Sequence, residues 1–499
     1  MATQTSSPAR TAAARSEEEI VAAAPKRLYI DGSWRDSSTG RVFEVEDPSR
    51  ATGLCHVQDA SAQDAVAALD AAAAARDDWA ACPPRRRAAI LRAAYELMIA
   101  RAEDLAVLLT LEMGKPISES RDEVIYAGEY LLWFAEEAIR IDGRYAMAPD
   151  GRGRVLVMQQ PVGPCLIITP WNFPLVMATR AAAPAIAAGC TMVVKPSRLA
   201  PLATLAFTQV LHDSGLPAGV LNVVTGSSSS MLTDPLLSDP RLRKLTFTGS
   251  TAVGQGLLRS SADQVLRVSL ELGGNAPFIV FADADLDEAI RGAVGAKLRN
   301  CGEACTSANR FYVERAVVEE FTRRLVEQME GITVGRGTDP GVQLGPLIDG
   351  ASQQRLGELV RDAVERGARL ETGGAAIDRP GYFFSPTVLS DVPREARVVR
   401  EEIFGPVAPI IPFEDEREAI ARANDTHLGL SAYVYTQDFH RAIRVIEALQ
   451  TGMVGLNQGR VSNPMAPFGG VKHSGLGRAG GPEAIGEYLE TKYVAIRHE

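Results

Sequence analysis

The chain is poor in cysteine and histidine, has no surplus of positive charge and carries no long apolar run. Each shortage removes a class of function. Its 52 lysines and arginines stand against 62 acidic residues, a net charge of −10. Binding a nucleic-acid backbone needs a basic patch, and the densest one, Pro84-Arg85-Arg86-Arg87, reads as the start of a helix with a solvated face. No nucleic-acid partner is expected. No apolar run approaches the length needed to cross a bilayer, so no membrane segment is expected either. The six cysteines, Cys55, Cys82, Cys165, Cys190, Cys301 and Cys305, are scattered along 499 residues and imply no disulfide framework. A reducing compartment, the cytosol, is the expectation. No histidine lies near Cys301 and Cys305, and their four-residue spacing has no second pair, so no metal site is expected, and a Cys–His hydrolase is only a competing reading. Residues 1–24 are rich in Ala, Ser, Arg and Glu without an apolar signal core, and read as a disordered tail.

What is present suits a soluble enzyme of two or three domains: 46% hydrophobic and 23% charged residues over 499 positions. Leu28 to Trp34 alternates and turns like a strand entering a hairpin. Ala62 to Arg140 has helical periodicity, broken at Pro83-Pro84 and at Gly114-Lys115-Pro116. From Val155 onward, strands alternate with helices. The pattern predicts a helix over Pro174–Ala188 stopped by Gly189, a strand over Thr191–Lys195, a helix over Ala200–Ser214, and strands over Val220–Val224 and Lys244–Phe247. A second series begins near Ala276, with a helix over Leu286–Leu298 and strands over Arg310–Val313 and Ser431–Tyr435. Such alternation means doubly wound parallel sheets. The final Glu487–Ile496 alternates as an exposed edge strand, which a second copy of the chain could complete.

Several segments could carry chemistry. A literal GxGxxG, Gly475 to Gly480, follows no clear strand and lacks the remaining chain for a βαβ unit, so it reads as a loop. Phe247-Thr248-Gly249-Ser250 ends a strand and opens a helix, where free N–H groups could meet a pyrophosphate; alone it is an ordinary strand–helix turn. Cys305 sits in a glycine-containing loop, Asn300 to Ser307, the setting of a reactive thiol rather than an inert core cysteine. Glu271 ends an apolar strand between leucines, where desolvation would raise its pKa toward that of a useful base. Asn172, bracketed by Pro170 and Pro174, offers a rigid amide donor suited to an oxyanion.

Together these residues resemble the aldehyde dehydrogenase superfamily. Seven segments match in family order: Thr169–Pro174, Lys195-Pro196-Ser197, Phe247–Ser250, Glu271–Gly274, Gly302–Cys305, Glu401–Pro406 and Pro467–Gly470. The resemblance implies an α/β fold with a Rossmann-like cofactor domain (25–143 and 162–273), an α/β catalytic domain (274–473) and a small β oligomerisation segment (144–161 and 474–499). It assigns Cys305 as nucleophile, Glu271 as general base and Asn172 as oxyanion donor. Trp171, Lys195, Ser197, Arg198, Gly249, Ser250, Glu402 and Phe404 fall at cofactor positions, with Lys195 at the adenosine ribose and Glu402 at the nicotinamide ribose.

Within the superfamily the chain resembles the succinate-semialdehyde dehydrogenases, through Gly274–Pro277, Val461–Pro467 and Leu489–Tyr493. That branch grips the distal carboxylate of its substrate with two arginines and a serine, and Arg180, Arg299 and Ser462 stand at the matching places. A broad-range or glutarate-semialdehyde-type enzyme is the alternative. The resemblance also implies a homodimer or homotetramer. Three positions depart from the pattern. Glu303 replaces a glutamine and would add negative charge near the thiol. Ala479 stands where many members have a glutamate. Arg198 stands where NAD-preferring members carry an acid, so NADP is the expected cofactor, with NAD possible.

Overall fold

The computed structural model describes residues 15–497. Its first large sheet has eight strands in the spatial order Gly475–Leu476, Arg267–Glu271, Lys244–Thr248, Cys165–Ile168, Met192–Lys195, Leu221–Val223, Leu28–Ile30 and Ser33–Arg35. The five strands from Arg267–Glu271 to Leu221–Val223 are parallel. Side chains alternate between its faces: Cys165, Ile167, Met192 and Val194 join one core, and Leu166, Ile168 and Val193 the other. The first core also holds the helices Pro84–Ala100, Ile117–Glu137, Pro174–Ala188 and Leu202–Asp213, while Ala62–Ala80 and Ser229–Leu237 cover the second.

The second sheet has seven strands, ordered Arg369–Thr372, Thr387–Ser390, Val407–Phe413, Ala308–Glu314, Ala276–Val280, Ser431–Tyr435 and Met453–Leu456. All neighbours are parallel except the first pair. Helices Leu286–Leu298 and Val318–Glu330 pack on one face, and Gly350–Glu365, Glu416–Asn424 and Phe439–Ala448 on the other. A smaller antiparallel sheet joins Leu489–Arg497, Gly153–Pro161 and Arg144–Met147.

Most predicted boundaries hold to within a residue or two. The helix Pro174–Ala188 begins on a proline, whose fixed φ suits a first turn, and stops where Gly189 turns left-handed at φ 96°. The hairpin after Ile30 turns through Asp31 and Gly32 at φ 53° and 74°, the two-residue geometry that follows strand twist.

Three expectations need correction. The tail expected to be disordered through residue 24 contains a helix, Glu17–Ala23, with a reciprocal Ser16–Glu19 capping box. Glu17 anchors it by a two-pronged pair with Arg336, at 2.9 and 2.5 Å. The part of that expectation covering residues 1–14 lies outside the described residues. The last strand begins at Leu489 rather than Glu487, because a helical turn, Glu483–Gly486, precedes it. Gly475–Leu476, expected in a loop of the oligomerisation segment, instead extends the first large sheet by pairing with Leu270 and Glu271.

Candidate active site

The loop before Cys305 is built under strain. After the helix Leu286–Leu298, Asn300, Cys301 and Gly302 all have positive φ, at 57°, 58° and 77°. Each non-glycine in that region costs about 1–3 kcal/mol and persists only where its surroundings hold it. Here Asn300 N–H donates to the Glu119 carboxylate at 2.5 Å, and the Asn300 amide donates to the Glu303 carbonyl at 3.0 Å. Glycine is required beside the loop as well as in it. A Cβ on Gly302 would sit 2.4 Å from the Gly405 carbonyl carbon, and one on Gly274 would sit 2.3 Å from the Cys305 oxygen. Three backbone segments therefore meet at the thiol.

Around it lies a cavity of about 240 Å³ whose lining includes Trp171, Asn172, Gly249, Ser250, Glu271, Cys305, Glu402 and Phe404. The carboxyl ends of the parallel strands deliver most of these, the usual place for a ligand crevice in an open α/β sheet. Burial controls their charge. It pushes the Cys305 thiol up to about 11, with Arg180 opposing and Glu402 and Glu271 adding to the rise. It pushes Glu271 to about 8, with Arg180 and Arg478 opposing, and the buried Glu271 Oε2 has no hydrogen-bond partner among the described residues. Glu402 is pushed to about 7 by burial, against a hydrogen bond that its Oε1 accepts from Gly274 N–H at 3.1 Å. The Asn172 amide, whose residue lines the cavity, donates to the Glu303 carbonyl at 2.9 Å. Trp171 and Phe404 meet edge to face, centroids 5.4 Å apart.

The remaining expected residues fall on two flanks. Lys195 is buried, its ammonium donating only to the Pro196 carbonyl at 3.1 Å, and burial lowers it to about 8. Ser197 is half-buried, its hydroxyl accepting from Leu199 N–H at 3.3 Å. Arg198 is exposed, with no hydrogen bond among the described residues. On the opposite flank the buried Arg180 guanidinium lies 4.2 Å over the Phe468 ring and borders a second, smaller cavity that also touches Glu271. Arg299 lies 5.2 Å over Phe173 and donates to the Thr306 hydroxyl at 3.3 Å. Neither arginine has a carboxylate within ion-pair distance among the described residues. Ser462 sits half-buried in the segment between Leu456 and Phe468.

Glu303 corrects one expectation. It is fully buried, and its Oε1 accepts from Ile348 N–H at 3.1 Å. Burial pushes its carboxyl well above the ordinary range, which disfavours the negative charge expected beside the thiol.

The residues that hold the site together were not singled out from the sequence. Lys115 and Glu123 form a buried pair at 2.5 Å, their side chains 0% and 1% exposed. Lys115 also donates to the Asn172 carbonyl at 2.9 Å. The other Glu123 oxygen accepts from Leu175 and Val176 N–H at 3.0 and 3.1 Å, capping the helix that follows Asn172. Glu119, one turn earlier, holds the cysteine loop. Periodicity gives these residues the spacing of solvated i,i+4 pairs, and only the tertiary packing shows them dry. Tyr126, Tyr130 and Arg460 were missed too. The two tyrosine hydroxyls are 2.9 Å apart, and Arg460 lies 5.4 Å over the Tyr126 ring.

Comparison with known proteins gives one family. The pattern of the aldehyde dehydrogenase family matches residues 34–494. A succinate-semialdehyde dehydrogenase of Paenarthrobacter nicotinovorans is 56% identical over 443 residues, 89% of this chain and 98% of that protein. The NADP(+) succinate-semialdehyde dehydrogenase of Escherichia coli strain K12 is 48% identical, covering 94% and 98%. Among solved structures, succinate-semialdehyde dehydrogenase from Burkholderia pseudomallei superposes with a TM-score of 0.94 at 45% identity, over 95% of this chain and 98% of that one.

The buried pair makes the first testable prediction. Lys115→Met removes the counter-ion of Glu123 in the core, a change worth about 3–5 kcal/mol of stability. Chemical denaturation is expected to show that loss, and hydrogen exchange to show opening around residues 170–176. A stability within about 1 kcal/mol of the parent would mean that the pair does not hold the turn.

Proposed function

This chain belongs to the aldehyde dehydrogenase family, and from that premise we propose that it oxidises succinate semialdehyde to succinate through a thioester on Cys305, with NADP preferred over NAD. One observation carries the substrate reading. Arg180, buried beside the cavity of Cys305 and Glu271, has no carboxylate within ion-pair distance among the described residues. A buried cation without a counter-ion is costly, and an ω-carboxylate on the substrate would complete it, with Arg299 and Ser462 as further contacts.

The overall change is aldehyde plus water plus oxidised cofactor going to carboxylate, reduced cofactor and two protons. When bound, the nicotinamide supplies the hydride acceptor. An aldehyde has no leaving group, so the chain must first make one carbon–sulfur bond. Cys305 Sγ adds to the carbonyl carbon, and the thiol proton passes to water as the carbonyl oxygen becomes an oxyanion. In this reading the free N–H of Asn172 and the Cys305 backbone N–H stabilise that oxygen, a donor of this kind being worth about 3–4 kcal/mol. Loss of hydride from the carbon leaves a thioester. Glu271 then takes a proton from water as the water oxygen adds to the thioester carbonyl, and the carbon–sulfur bond breaks. A base pushed by burial to about 8 holds protons well enough to accept one from water and still lets them go near neutral pH.

The chain's own residues fit the cofactor. Lys195 is a buried ammonium with only a backbone partner and would take a ribose hydroxyl. Gly249-Ser250 precede an eleven-residue helix, whose N–H groups suit a pyrophosphate. Glu402 would accept from the other ribose, and Trp171 and Phe404 would flank the nicotinamide. Arg198 would bind the 2′-phosphate that distinguishes NADP, a group that an acid there would repel.

We read 25–143 with 162–273 as the cofactor-binding domain and 274–473 as the catalytic one. The sheet of Arg144–Met147, Gly153–Pro161 and Leu489–Arg497 is then the assembly surface. Among the described residues both of its outer strands are unpaired along one edge, with Tyr145 and Met147 exposed on one and Tyr493 and Ile496 on the other. That supports a homodimer or a homotetramer, in the cytoplasm. No helix among the described residues is long and apolar enough to cross a membrane. Sedimentation at micromolar protein is expected to show dimers or tetramers, and a monomer would contradict the assembly.

A panel of aldehydes and cofactors tests the specificity. Arg299→Ala is expected to lose a charge-assisted hydrogen bond of about 1.5–3 kcal/mol, roughly 10–150-fold in kcat/KM, for succinate semialdehyde and almost nothing for butanal. Equal losses would make the arginine structural, and a wild-type preference for glutarate semialdehyde would move the substrate to the longer homologue. The wild type is expected to favour NADP, and Arg198→Glu to shift the ratio toward NAD. An unchanged ratio would remove Arg198 from the cofactor site.

A further inference from the structure

The two strands that end in the active site, Lys244–Thr248 and Arg267–Glu271, carry a polar face inside the molecule. Their parallel register sets Thr246 beside Ser269 and Thr248 beside Glu271, with Lys244 one alternation back. The opposite face, Leu245, Phe247 and Leu270, is ordinary apolar core. A buried polar face is costly unless its groups are paired, and these groups are paired toward one place. Lys244 Nζ donates to Ser269 Oγ at 2.5 Å, and Ser269 Oγ donates to Glu487 Oε2 at 2.9 Å. Lys244 and Glu487 are 3.8 Å apart, and the Tyr488 hydroxyl is 3.1 Å from the Thr246 hydroxyl. Arg267 holds the segment carrying Glu487 by donating to the Leu489 and Gly486 carbonyls at 2.6 and 2.9 Å.

Glu271 and Glu487 both border a cavity of about 30 Å³, together with Ser269 and Ala479. That is room for about two waters. The Glu271 Oε2 atom is buried without a partner, whereas the Glu487 side chain is 23% exposed. The space thus runs from the base to the surface. Arg180 and Arg478 are the cations facing Glu271, and Glu487 is the acid. Arg267, Cys165 and Cys190 are the other titratable groups around Lys244. The route is not needed to bind or oxidise an aldehyde.

We infer that Glu487 is the proton exit for deacylation, acting through Glu271 and never touching the substrate. Water gives its proton to the Glu271 carboxylate as its oxygen joins the thioester carbon. The proton then passes through cavity water to the Glu487 carboxylate and from there to bulk solvent, which returns Glu271 to its charged form. This rests on the reading of Glu271 as the base.

The test uses the full-length enzyme with succinate semialdehyde and NADP, in rapid-mixing experiments. Glu487→Gln is expected to form one NADPH per site at the parent rate and then turn over about tenfold more slowly, a fraction of what general acid–base catalysis contributes. Glu487→Asp should restore most of that rate, and a small weak acid in the buffer should accelerate the Gln variant. Ala479→Val, which fills the cavity and leaves both carboxylates in place, should give the same slow phase. The inference fails if the Gln variant keeps the parent steady rate, or if burst and steady rate fall together as a packing defect would cause. It fails equally if Ala479→Val is as fast as the parent. A Glu271→Gln enzyme that turns over freely would instead overturn the base itself, separating the two failures.

Discussion

The buried ion pair of Lys115 and Glu123 is the contact on which the geometry of the thiol depends. Both side chains are out of water, so each needs the other, and removing either costs about 3–5 kcal/mol. Their remaining hydrogen-bonding capacity goes into the Asn172 carbonyl and the first amides of the helix Pro174–Ala188. The neighbouring Glu119 takes the Asn300 amide of the cysteine loop. One end of the helix Ile117–Glu137 thus fixes both Asn172, the proposed oxyanion donor, and the strained loop that presents Cys305. Asn172 closes the arrangement by donating to the Glu303 carbonyl inside that same loop.

A second theme is desolvation. Burial pushes Glu271, Glu402 and Cys305 toward their neutral forms and pulls Lys195 the same way. Among the described residues neither Arg180 nor Arg299 has a carboxylate within ion-pair distance. The site is therefore complementary to a molecule that brings an anion to the arginines, hydroxyls to Lys195 and Glu402, and water to Glu271. Glu303 belongs to the same pattern. Burial pushes its carboxyl well above the ordinary range, with Lys115 opposing, and it accepts from Ile348 N–H.

Much of this was legible in the residues. Gly189 and Pro174 marked their helix because left-handed turns and fixed φ are local properties, and strand–helix alternation predicted both parallel sheets. Among the residues lining the cavity, Asn172, Gly249, Ser250, Glu271 and Cys305 stand out in the sequence because rigid turns and a strand-end acid carry chemistry in short segments, whereas Trp171, Glu402 and Phe404 follow only from the family resemblance. What was not legible depends on distant partners. Glu17–Ala23 is two turns long and is ordered by Arg336, more than 300 residues away. Lys115, Glu119 and Glu123 have the spacing of a solvated helix face. Gly475–Leu476 joins a sheet because Leu270 and Glu271 stand at its edge, which no periodicity near residue 475 could show. Glu487, whose partners Lys244 and Ser269 lie on two other strands, belongs to this group as well.

The central claim is that Cys305 carries the acyl group and Glu271 releases it. The direct measurement is rapid mixing of the Glu271→Gln enzyme with succinate semialdehyde and NADP, followed by mass analysis of the quenched protein. The account predicts one NADPH per active site, then a stall, with a succinyl thioester on the peptide containing Cys305. Sustained turnover near the parent rate, or an acyl group on any other residue, would contradict it.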